Sequence, residues 1–373
     1  MSVINRKELK HPRLAVVKVG SKILAPQDGG GHLSRISSLV KAVMDLISDG
    51  TDVILVSSGA VANGWAVLGL KEKPKTIPLK QACAGVGQIE LMNLYRAQFD
   101  RYSRPVGQIL LSWDDFRDKK RYLNLRNTLS SMLENGIVPI INENDSVSVY
   151  EIKIGDNDTL AGQIALLADA DLFVALSDIN GLYSDNPKTN PKAKHIPSVE
   201  KFDALLHKGA CAEGTDVGTG GMATKLRAAE MVCKAGITAI VGDGYNNDLL
   251  SVVNDSTLGT LFYPQREKMN SRDRFIAFTD TIDGTLSVDD GAKSALLSGK
   301  SLLPAGILAV TGNFDEGDAV SIENNGGVFA KGITDYSSEE IAKIKGRKSI
   351  DIEALWDFYR CDFVVHRNNM VIL

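Results

Sequence analysis

The chain has 373 residues and a formal net charge of −4, with 44% hydrophobic and 24% charged residues. This length allows two domains, and the composition is that of an ordinary globular protein with a sizeable core. The weak acidic balance gives no reason to expect nucleic acid or an anionic membrane as the main partner.

The cysteines and the N-terminal residues argue against further classes. No Cys-x-x-Cys pair or nearby His-x-x-x-His partner suggests a zinc site, and dispersed cysteines fit a reducing compartment. The four cysteines are Cys83, Cys211, Cys233 and Cys361. Residues 1–13 are polar and charged, and no apolar run approaches the length of a bilayer span. We therefore expect no signal peptide, no membrane partner and a cytoplasmic location.

Short apolar runs alternate with helical patterns over the first part of the chain. Strands are predicted at residues 14–19, 52–57, 106–111, 137–141, 172–177 and 237–241. Helices are predicted between them at residues 34–48, 79–101, 121–134 and 159–168. Near-continuous apolar strands separated by helices predict an α/β fold with a mostly parallel sheet covered on both faces. In such sheets ligands bind beyond the carboxyl ends of the strands, so the polar residues there are the candidate site.

The composition changes after residue 264. Residues 265–274 are polar and nearly free of large apolar side chains, which predicts a linker between a domain of residues 1–264 and one of residues 275–373. The second domain has short alternating segments at residues 275–278, 284–288, 306–311, 319–322 and 328–331, with one helix at residues 291–297. These segments predict a small β-rich domain.

Polar residues end the first two predicted strands. Lys18 lies inside an apolar strand that ends at Gly20, and burying its charge without a partner would be costly. The functional interpretation is a phosphate ligand, and the structural alternative is a lysine whose ammonium reaches water. Ser57, Ser58 and Gly59 end the second strand before a helical stretch, where an anion pocket competes with the commoner N-cap serine.

Two acidic and amide-rich segments come next. Residues 142–145, Asn-Glu-Asn-Asp, follow a strand and could hold a zwitterion, with Asp145 binding the ammonium and the amides the carboxylate. An Asx-rich turn explains them equally well. Residues 153–158 include Lys153, Asp156, Asn157 and Asp158 just before a helix. A helix cap accounts for one aspartate but not for the whole set, and the Gly and Glu of a calcium-binding EF-hand are missing.

Two further segments suit a nucleotide. Ser177 and Asp178 end another strand, and a glycine-rich loop at residues 218–225 leads into a helix that carries Lys225 in its first turn. Such a loop suits a polyphosphate, although a flexible surface loop is the even alternative. It lacks the Walker A order, and the chain has no Rossmann fingerprint. Together the strand ends predict one crevice with two lysines, backbone donors and carboxylates, which are the groups that phosphoryl transfer needs.

As a set, these motifs resemble the amino acid kinase family, and most closely its members that phosphorylate free glutamate. The β-rich tail resembles a PUA domain, so the resemblance covers nearly the whole chain. It implies an amino acid kinase-like α/β sandwich with a mostly parallel central sheet, followed by a small β-rich PUA-like C-terminal domain. It also implies phosphorylation of the γ-carboxylate of L-glutamate by ATP, with Mg²⁺ carried by the nucleotide and no protein metal ligand assigned.

The resemblance assigns roles to individual residues. The catalytic set would be Lys18, Lys225 and Asp158, with the aspartate orienting both lysines by ion pairing. The glutamate-binding set would be Ser58, Asp145, Asn157, Asp156 and Lys153. The ATP-binding set would be Lys18, Ser177, Asp178, Thr219, Gly220, Gly221, Met222, Ala223, Thr224 and Lys225. Lys22 departs from the usual small polar residue, and no role follows for it. Because the acceptor carboxylate is ionised at neutral pH, no general base is expected.

The resemblance also implies partners. It suggests a homo-oligomer and, because no reductase domain follows in this chain, a separate reductase that consumes the acyl phosphate of this first step of proline synthesis. A kinase for acetylglutamate or aspartate is the nearest alternative, and Asp145 argues against the former because an acetylated amine needs no counter-charge. RNA binding by the tail is the other alternative. Residues 275–373 carry fifteen Asp or Glu against nine Lys or Arg, a net charge of −6, which suits RNA poorly.

Overall fold

The computed structural model describes residues 6, 11–26, 31–147, 157–187, 189–202, 221–265, 282–347 and 362–373. The chain divides into two compact units, Met1–Lys268 and Met269–Leu373. The predicted segment at residues 275–278 lies outside the described residues. Within the described residues, no helix is long and apolar enough to cross a membrane.

The first unit is built on an eight-stranded sheet. Its strands are β1 (Leu14–Val19), β2 (Asp52–Ser57), β3 (Val106–Leu111), β4 (Val138–Glu143), β5 (Leu172–Ser177), β8 (Ser198–Val199), β9 (Thr238–Asp243) and β10 (Thr260–Phe262). Two short strands, β6 (Leu182–Tyr183) and β7 (His195–Ile196), pair with each other outside this sheet. The strand order is β3-β4-β2-β1-β5-β9-β10-β8, and every pair is parallel except β9 with β10. The predicted mostly parallel sheet is therefore confirmed.

Helices connect these strands. They are α1 (Ser21–Leu24), α2 (Gly31–Ser48), α3 (Ala60–Val67), α4 (Ile77–Phe99), α5 (Asp114–Arg117), α6 (Lys119–Glu134), α7 (Asn157–Leu167), α8 (Met222–Lys234) and α9 (Leu249–Asn254). The apolar side chains of β1, β2 and β5 are buried and share one hydrophobic core with α2 and the C-terminal half of α4. Burial of this apolar surface is the main force that fixes the sheet and its connections.

The strand register brings the candidate site together. Val19, the last residue of β1, pairs with Ser57 of β2 and with Leu176 of β5. Ser177 of β5 pairs with Asp243 of β9. Four neighbouring strands therefore end at nearly the same level, and the residues that follow them meet along one edge of the sheet.

Two glycines allow α3 and α4 to pack with their backbones in close contact. A Cβ atom added to Gly87 would lie 1.8 Å from the Ala60 carbonyl oxygen, and one added to Gly64 would lie 1.8 Å from the Cys83 carbonyl oxygen. Both distances are far below van der Waals contact, so any side chain at either position would separate the helices. This close packing sets the position of the middle of α4, where Gln88 lies.

The second unit contains a five-stranded sheet. Its elements are β11 (Gly284–Val288), α10 (Asp290–Leu297), β12 (Ile307–Gly312), β13 (Ala319–Asn324), β14 (Gly327–Ile333), α11 (Ser338–Ile344) and β15 (Met370–Ile372). The strand order is β12-β11-β13-β14-β15. The buried faces of these strands pack with α10 and α11 around a separate hydrophobic core. The predicted small β-rich domain is confirmed, although the sequence patterns did not predict α11 or β15.

Two boundaries differ from the prediction in ways that matter for the site. β4 continues two residues beyond the predicted end at residue 141, because Leu110 and Leu111 of β3 pair with Asn142 and Glu143. The strand predicted at residues 137–141 therefore ends in two buried polar residues. The helix predicted from residue 159 begins at Asn157, so Asn157 and Asp158 lie in its first turn.

Candidate active site

A buried carboxylate joins two lysines at the carboxyl edge of the large sheet. The Nζ atom of Lys18 lies 2.6 Å from Asp158 Oδ1, and the Nζ atom of Lys225 lies 3.0 Å from Asp158 Oδ2. All three residues are buried: Lys18 is 5% exposed, Asp158 1% and Lys225 4%. We call Lys18, Asp158 and Lys225 the buried triad. It carries two positive charges and one negative charge.

Three separate elements supply the buried triad. Lys18 comes from β1, Asp158 from the first turn of α7, and Lys225 from the first turn of α8. The hydroxyl of Thr224 donates to Asp158 Oδ2 at 2.7 Å and lies 2.8 Å from the Gly221 carbonyl oxygen. Thr224 therefore links the start of α8 to the carboxylate that holds both lysines.

The charge state of Asp158 is set by its neighbours. Burial alone would raise the pKa of this carboxyl group, but the charges of Lys18 and Lys225 and the hydrogen bonds from Lys18 and Thr224 outweigh burial and lower the pKa to about 2. Asp158 is therefore ionised throughout the neutral range. Its negative charge compensates part of the cost of burying two ammonium groups.

A second constellation lies beside the buried triad. Asn157 donates from Nδ2 to the hydroxyl of Ser58 at 2.9 Å and to Asn142 Oδ1 at 3.1 Å. Asn142 in turn donates from Nδ2 to Gln88 Oε1 at 2.8 Å. We call Ser58, Asn157, Asn142 and Gln88 the amide chain. Because Asn157 precedes Asp158 in α7, the amide chain and the buried triad are neighbours.

The two serines at the end of β2 have different surroundings. The hydroxyl of Ser57 is 3.1 Å from the hydroxyl of the buried Tyr95, on the core side of the strand. Ser58 instead contacts Asn157 in the site. The interpretation that both hydroxyls form one anion pocket is therefore wrong for Ser57. Gly59 follows with a φ of 101°, a left-handed conformation that favours glycine and begins the turn into α3.

The predicted nucleotide-binding residues after β5 lie at the same edge. Ser177 is buried at the end of β5, and its carbonyl oxygen accepts a hydrogen bond from the Gly244 N–H at 2.9 Å. Asp178 accepts a hydrogen bond from Lys22 Nζ at 2.5 Å. Lys22, for which the sequence suggested no role, thus forms an ion pair with a predicted ATP-binding residue.

The remaining predicted residues are placed as follows. Asp145 is half-buried in the turn after β4, and Met222 and Ala223 begin α8 beside its N-cap residue Gly221. Four predicted site residues, Lys153, Asp156, Thr219 and Gly220, lie outside the described residues. The structure therefore brings together the residues from β1, β2, β5, α7 and α8.

Sequence reasoning missed one member of the amide chain. Asn142 belongs to the segment for which a zwitterion site and an Asx-rich turn are equal alternatives, whereas Gln88 was not singled out. Both are buried, with exposures of 1% for Asn142 and 8% for Gln88. The signal for Gln88 was a glutamine next to Gly87, within the part of a helix that the hydrophobic pattern places against the core. A buried amide at such a position needs a hydrogen-bond partner.

The described residues offer no protein cage for a metal ion. Among them, no group of three His, Cys, Asp or Glu side chains is close enough to hold one. Both oxygens of Asp158 already contact a lysine. The Asp158 carboxylate is therefore already engaged by cations.

Comparison with known families agrees with this geometry. Residues 13–243 match the model of the amino acid kinase family, and residues 284–355 match that of the PUA domain. Among solved structures, carbamate kinase from Giardia lamblia bound to AMP-PNP is 13% identical with a TM-score of 0.46, over 67% of this chain and 98% of that one. This last likeness is too weak to support a conclusion.

Curated relatives match over nearly their whole length. The glutamate 5-kinase of Geobacter sp. strain M21 is 46% identical over 99% of this chain and 100% of its own. That of Syntrophotalea carbinolica is 46% identical over 98% of both chains. That of Thermoanaerobacter sp. strain X514 is 44% identical over 96% of this chain and 97% of its own. The chain belongs to the amino acid kinase family, has the glutamate 5-kinases as its full-length relatives, and carries a PUA domain after the kinase domain.

Proposed function

We propose that this protein transfers the γ-phosphoryl group of ATP to the γ-carboxylate of L-glutamate and releases L-glutamyl 5-phosphate, the first step of proline biosynthesis. The observation that carries the proposal is the buried triad, in which Asp158 holds the ammonium groups of Lys18 and Lys225 on its two oxygens. The full-length relatives named glutamate 5-kinase support the choice of substrate.

The buried triad supplies the electrostatics that phosphoryl transfer needs. Lys18 and Lys225 lie at the edge of the sheet, where the strand-end loops meet, and their positions are fixed by ion pairs. Preorganised cations stabilise the negative charge that develops on the transferring phosphoryl group without reorganising during the reaction. Asp158 would act as the positioning residue that keeps both cations pointed at the phosphates.

The chemistry requires no proton abstraction. The γ-carboxylate of glutamate is ionised at neutral pH, so one of its oxygens attacks the γ-phosphorus directly. The bond between that phosphorus and the β,γ-bridging oxygen breaks, and ADP leaves with the electron pair. The role of the protein is to align donor and acceptor and to spread the charge. Mg²⁺ would enter as the complex with ATP and neutralise part of the phosphate charge.

We assign glutamate to the amide chain and its surroundings. Ser58 and Asn157 lie beside the buried triad and present hydroxyl and amide groups suited to a zwitterion. Asp145 would bind the ammonium group, and Asp156 and Lys153 would lie close to the substrate. A free ammonium group would then distinguish glutamate from N-acetylglutamate, whose neutral amide gains nothing from a carboxylate partner.

We assign ATP to the edge beyond β5 and the start of α8. Lys18, Ser177 and Asp178 would contact the nucleotide from the ends of β1 and β5. The glycine-rich loop at residues 219–225 would contribute its backbone N–H groups and Lys225 to the phosphates. We place the domain limits at residues 1–264 and 275–373 with a linker between them, and we expect a cytoplasmic homo-oligomer whose acyl phosphate is consumed by a separate reductase.

The proposal is tested by trapping the product. Hydroxylamine converts an acyl phosphate to a hydroxamate, so the wild type with ATP, magnesium and glutamate should form hydroxamate. Lys225→Ala should form almost none, since it removes one of the two cations. Lys234→Ala is a matched control at the other end of α8, where the lysine is 54% exposed and pairs with Glu230. It should retain wild-type activity.

A substrate panel decides between the related kinases. L-glutamate, N-acetyl-L-glutamate and L-aspartate are each offered with ATP, and ADP release is followed. We expect kcat/KM for L-glutamate to be at least about 100-fold higher than for the other two substrates. N-acetyl-L-glutamate would leave a polar group of the enzyme buried without a partner, and the side chain of L-aspartate has the wrong length. Phosphorylation of N-acetylglutamate in preference to glutamate would overturn the assignment.

A further inference from the structure

The amide chain has a fixed hydrogen-bonding direction. The backbone N–H of Glu143 donates to Asn142 Oδ1 at 2.9 Å, and a backbone N–H can only donate. The side-chain oxygen of Asn142 must therefore face Glu143, and its Nδ2 must face Gln88. Gln88 consequently turns its Oε1 toward Asn142, at 2.8 Å. Asn157 must likewise turn Nδ2 toward Asn142 Oδ1, at 3.1 Å.

This direction leaves one unused polar atom at each end. Gln88 Nε2 and Asn157 Oδ1 are buried and have no hydrogen-bond partner within the described part of the chain. Burying a polar group without a partner is costly, so two of them in one connected network call for an explanation. Gln88 also lies deep in α4, where an apolar residue would pack without this cost.

We propose that Gln88 is a positioning residue for the amino acid substrate. By accepting the hydrogen bond from Asn142, it reinforces the orientation that the Glu143 N–H sets, in which Asn157 directs Nδ2 to Ser58 and keeps Oδ1 as an acceptor for the substrate ammonium group. In the reversed orientation, Asn157 would present N–H donors to that ammonium group and repel it. This inference rests on the proposed function, because it assumes that the substrate is a free amino acid.

One feature of the fold fixes where Gln88 lies, and a further contact limits how much of the orientation of Asn157 depends on it. The neighbouring Gly87 allows the backbone of α4 to approach α3 at Ala60 and Gly64, which fixes the middle of α4 relative to the turn after β2. The Ser57 carbonyl oxygen also lies 3.4 Å from Asn157 Nδ2, in the same orientation. Asn157 is thus held from two sides, and Gln88 supplies only part of its orientation.

The test compares a variant that removes the hydrogen-bond acceptor at position 88 with a variant that keeps it. Gln88→Met removes the acceptor at nearly constant side-chain length, and Gln88→Glu keeps an oxygen that Asn142 can donate to. We expect Gln88→Met to raise the KM for glutamate about 2- to 12-fold, the loss of one net hydrogen bond, and to change the KM for ATP by less than about twofold. We expect Gln88→Glu to have a lower KM for glutamate than Gln88→Met. If Gln88→Met does not fold, Gln88→Asn, whose shorter side chain cannot reach Asn142, replaces it in the same comparison.

Gln163→Met is the matched control, because Gln163 is also 8% exposed in a helix of the same unit but lies outside the amide chain. It should leave both KM values unchanged. Equal changes in the KM for glutamate and ATP, or a Gln88→Glu variant as impaired as Gln88→Met, would overturn the proposal. These outcomes are distinct from failure of the proposed function, which would appear as a wild type that forms no hydroxamate from glutamate.

Discussion

Two lysine–aspartate pairs lie at neighbouring strand ends, and they differ in burial rather than in distance. The pair of Lys18 and Asp158 is 2.6 Å apart with side chains 7% and 0% exposed. The pair of Lys22 and Asp178 is 2.5 Å apart with side chains 67% and 28% exposed. Lys18 lies in β1 and Lys22 follows that strand, Asp158 lies in the first turn of α7, and Asp178 follows β5, which is the neighbour of β1 in the sheet.

The difference shows what burial adds to an ion pair. Water screens the exposed pair and competes for its hydrogen bonds, so it contributes little to stability and can rearrange. The buried triad has exchanged water for fixed partners, so removing one partner leaves an uncompensated charge. We infer that the buried triad fixes the phosphate-binding geometry, whereas the pair of Lys22 and Asp178 can open when a nucleotide enters.

Removing the carboxylate should destabilise the protein far more at the buried pair than at the exposed pair. Asp158→Asn removes the carboxylate that both buried ammonium groups contact and should lower the free energy of unfolding by about 3–5 kcal/mol. It should also reduce kcat at least about 100-fold, because the cations are no longer held in place. Asp178→Asn should cost less than about 1 kcal/mol of stability. Urea denaturation and the hydroxamate assay measure both; equal destabilisation by the two variants would contradict the comparison.

Lowering the pH should gradually reduce the difference in unfolding free energy between wild type and Asp158→Asn. The pKa of Asp158 is lowered to about 2 from an ordinary value of 3.8, so its ionised form stabilises the fold above pH 4, and this contribution is lost as the pH falls through 2. The gap in unfolding free energy between wild type and Asp158→Asn should therefore shrink by about 2 kcal/mol between pH 4 and pH 2. Denaturation curves across this range measure the gap. A constant gap would mean that Asp158 titrates normally.

The smallest effect is expected at the exposed pair. Lys22→Ala should change the free energy of unfolding by less than about 1 kcal/mol and leave the KM for glutamate unchanged. If Lys22 exchanges Asp178 for a phosphate, the KM for ATP should rise by no more than about threefold at low salt, and the rise should disappear at high salt. A salt-independent loss of kcat would show that Lys22 belongs with the buried triad instead.

Much of the fold followed from hydrophobic pattern, because β1, β2 and β5 are almost wholly buried and β3 keeps an apolar run at the edge of the sheet. The strands at residues 14–19, 52–57, 106–111 and 172–177 lie where the apolar runs predicted them. The extension of β4 to Glu143 could not be predicted, because it depends on pairing with β3. The helix α11 was missed although Ser337 and Glu340 form a capping box, which was a readable start signal.

The site was only partly predictable for a related reason. Lys18 stood out because a charged residue inside an apolar strand needs a partner, and its partner Asp158 is 140 positions away in the chain. Gln88 did not stand out, because an amide inside a helix is common. Asn142 stood out only as part of a polar cluster that a turn explains equally well, and its contact with Gln88 spans 54 positions. Long-range pairing is what the sequence alone does not contain.

The most direct test asks whether the two lysines of the buried triad act as one unit. The kcat values of Lys18→Ala, Lys225→Ala and the double variant are measured in the hydroxamate assay. Because Asp158 couples both lysines, we predict that the double variant falls within about tenfold of the worse single variant, as for other residues that act together. Losses that multiply, so that each lysine contributes independently, would contradict the account.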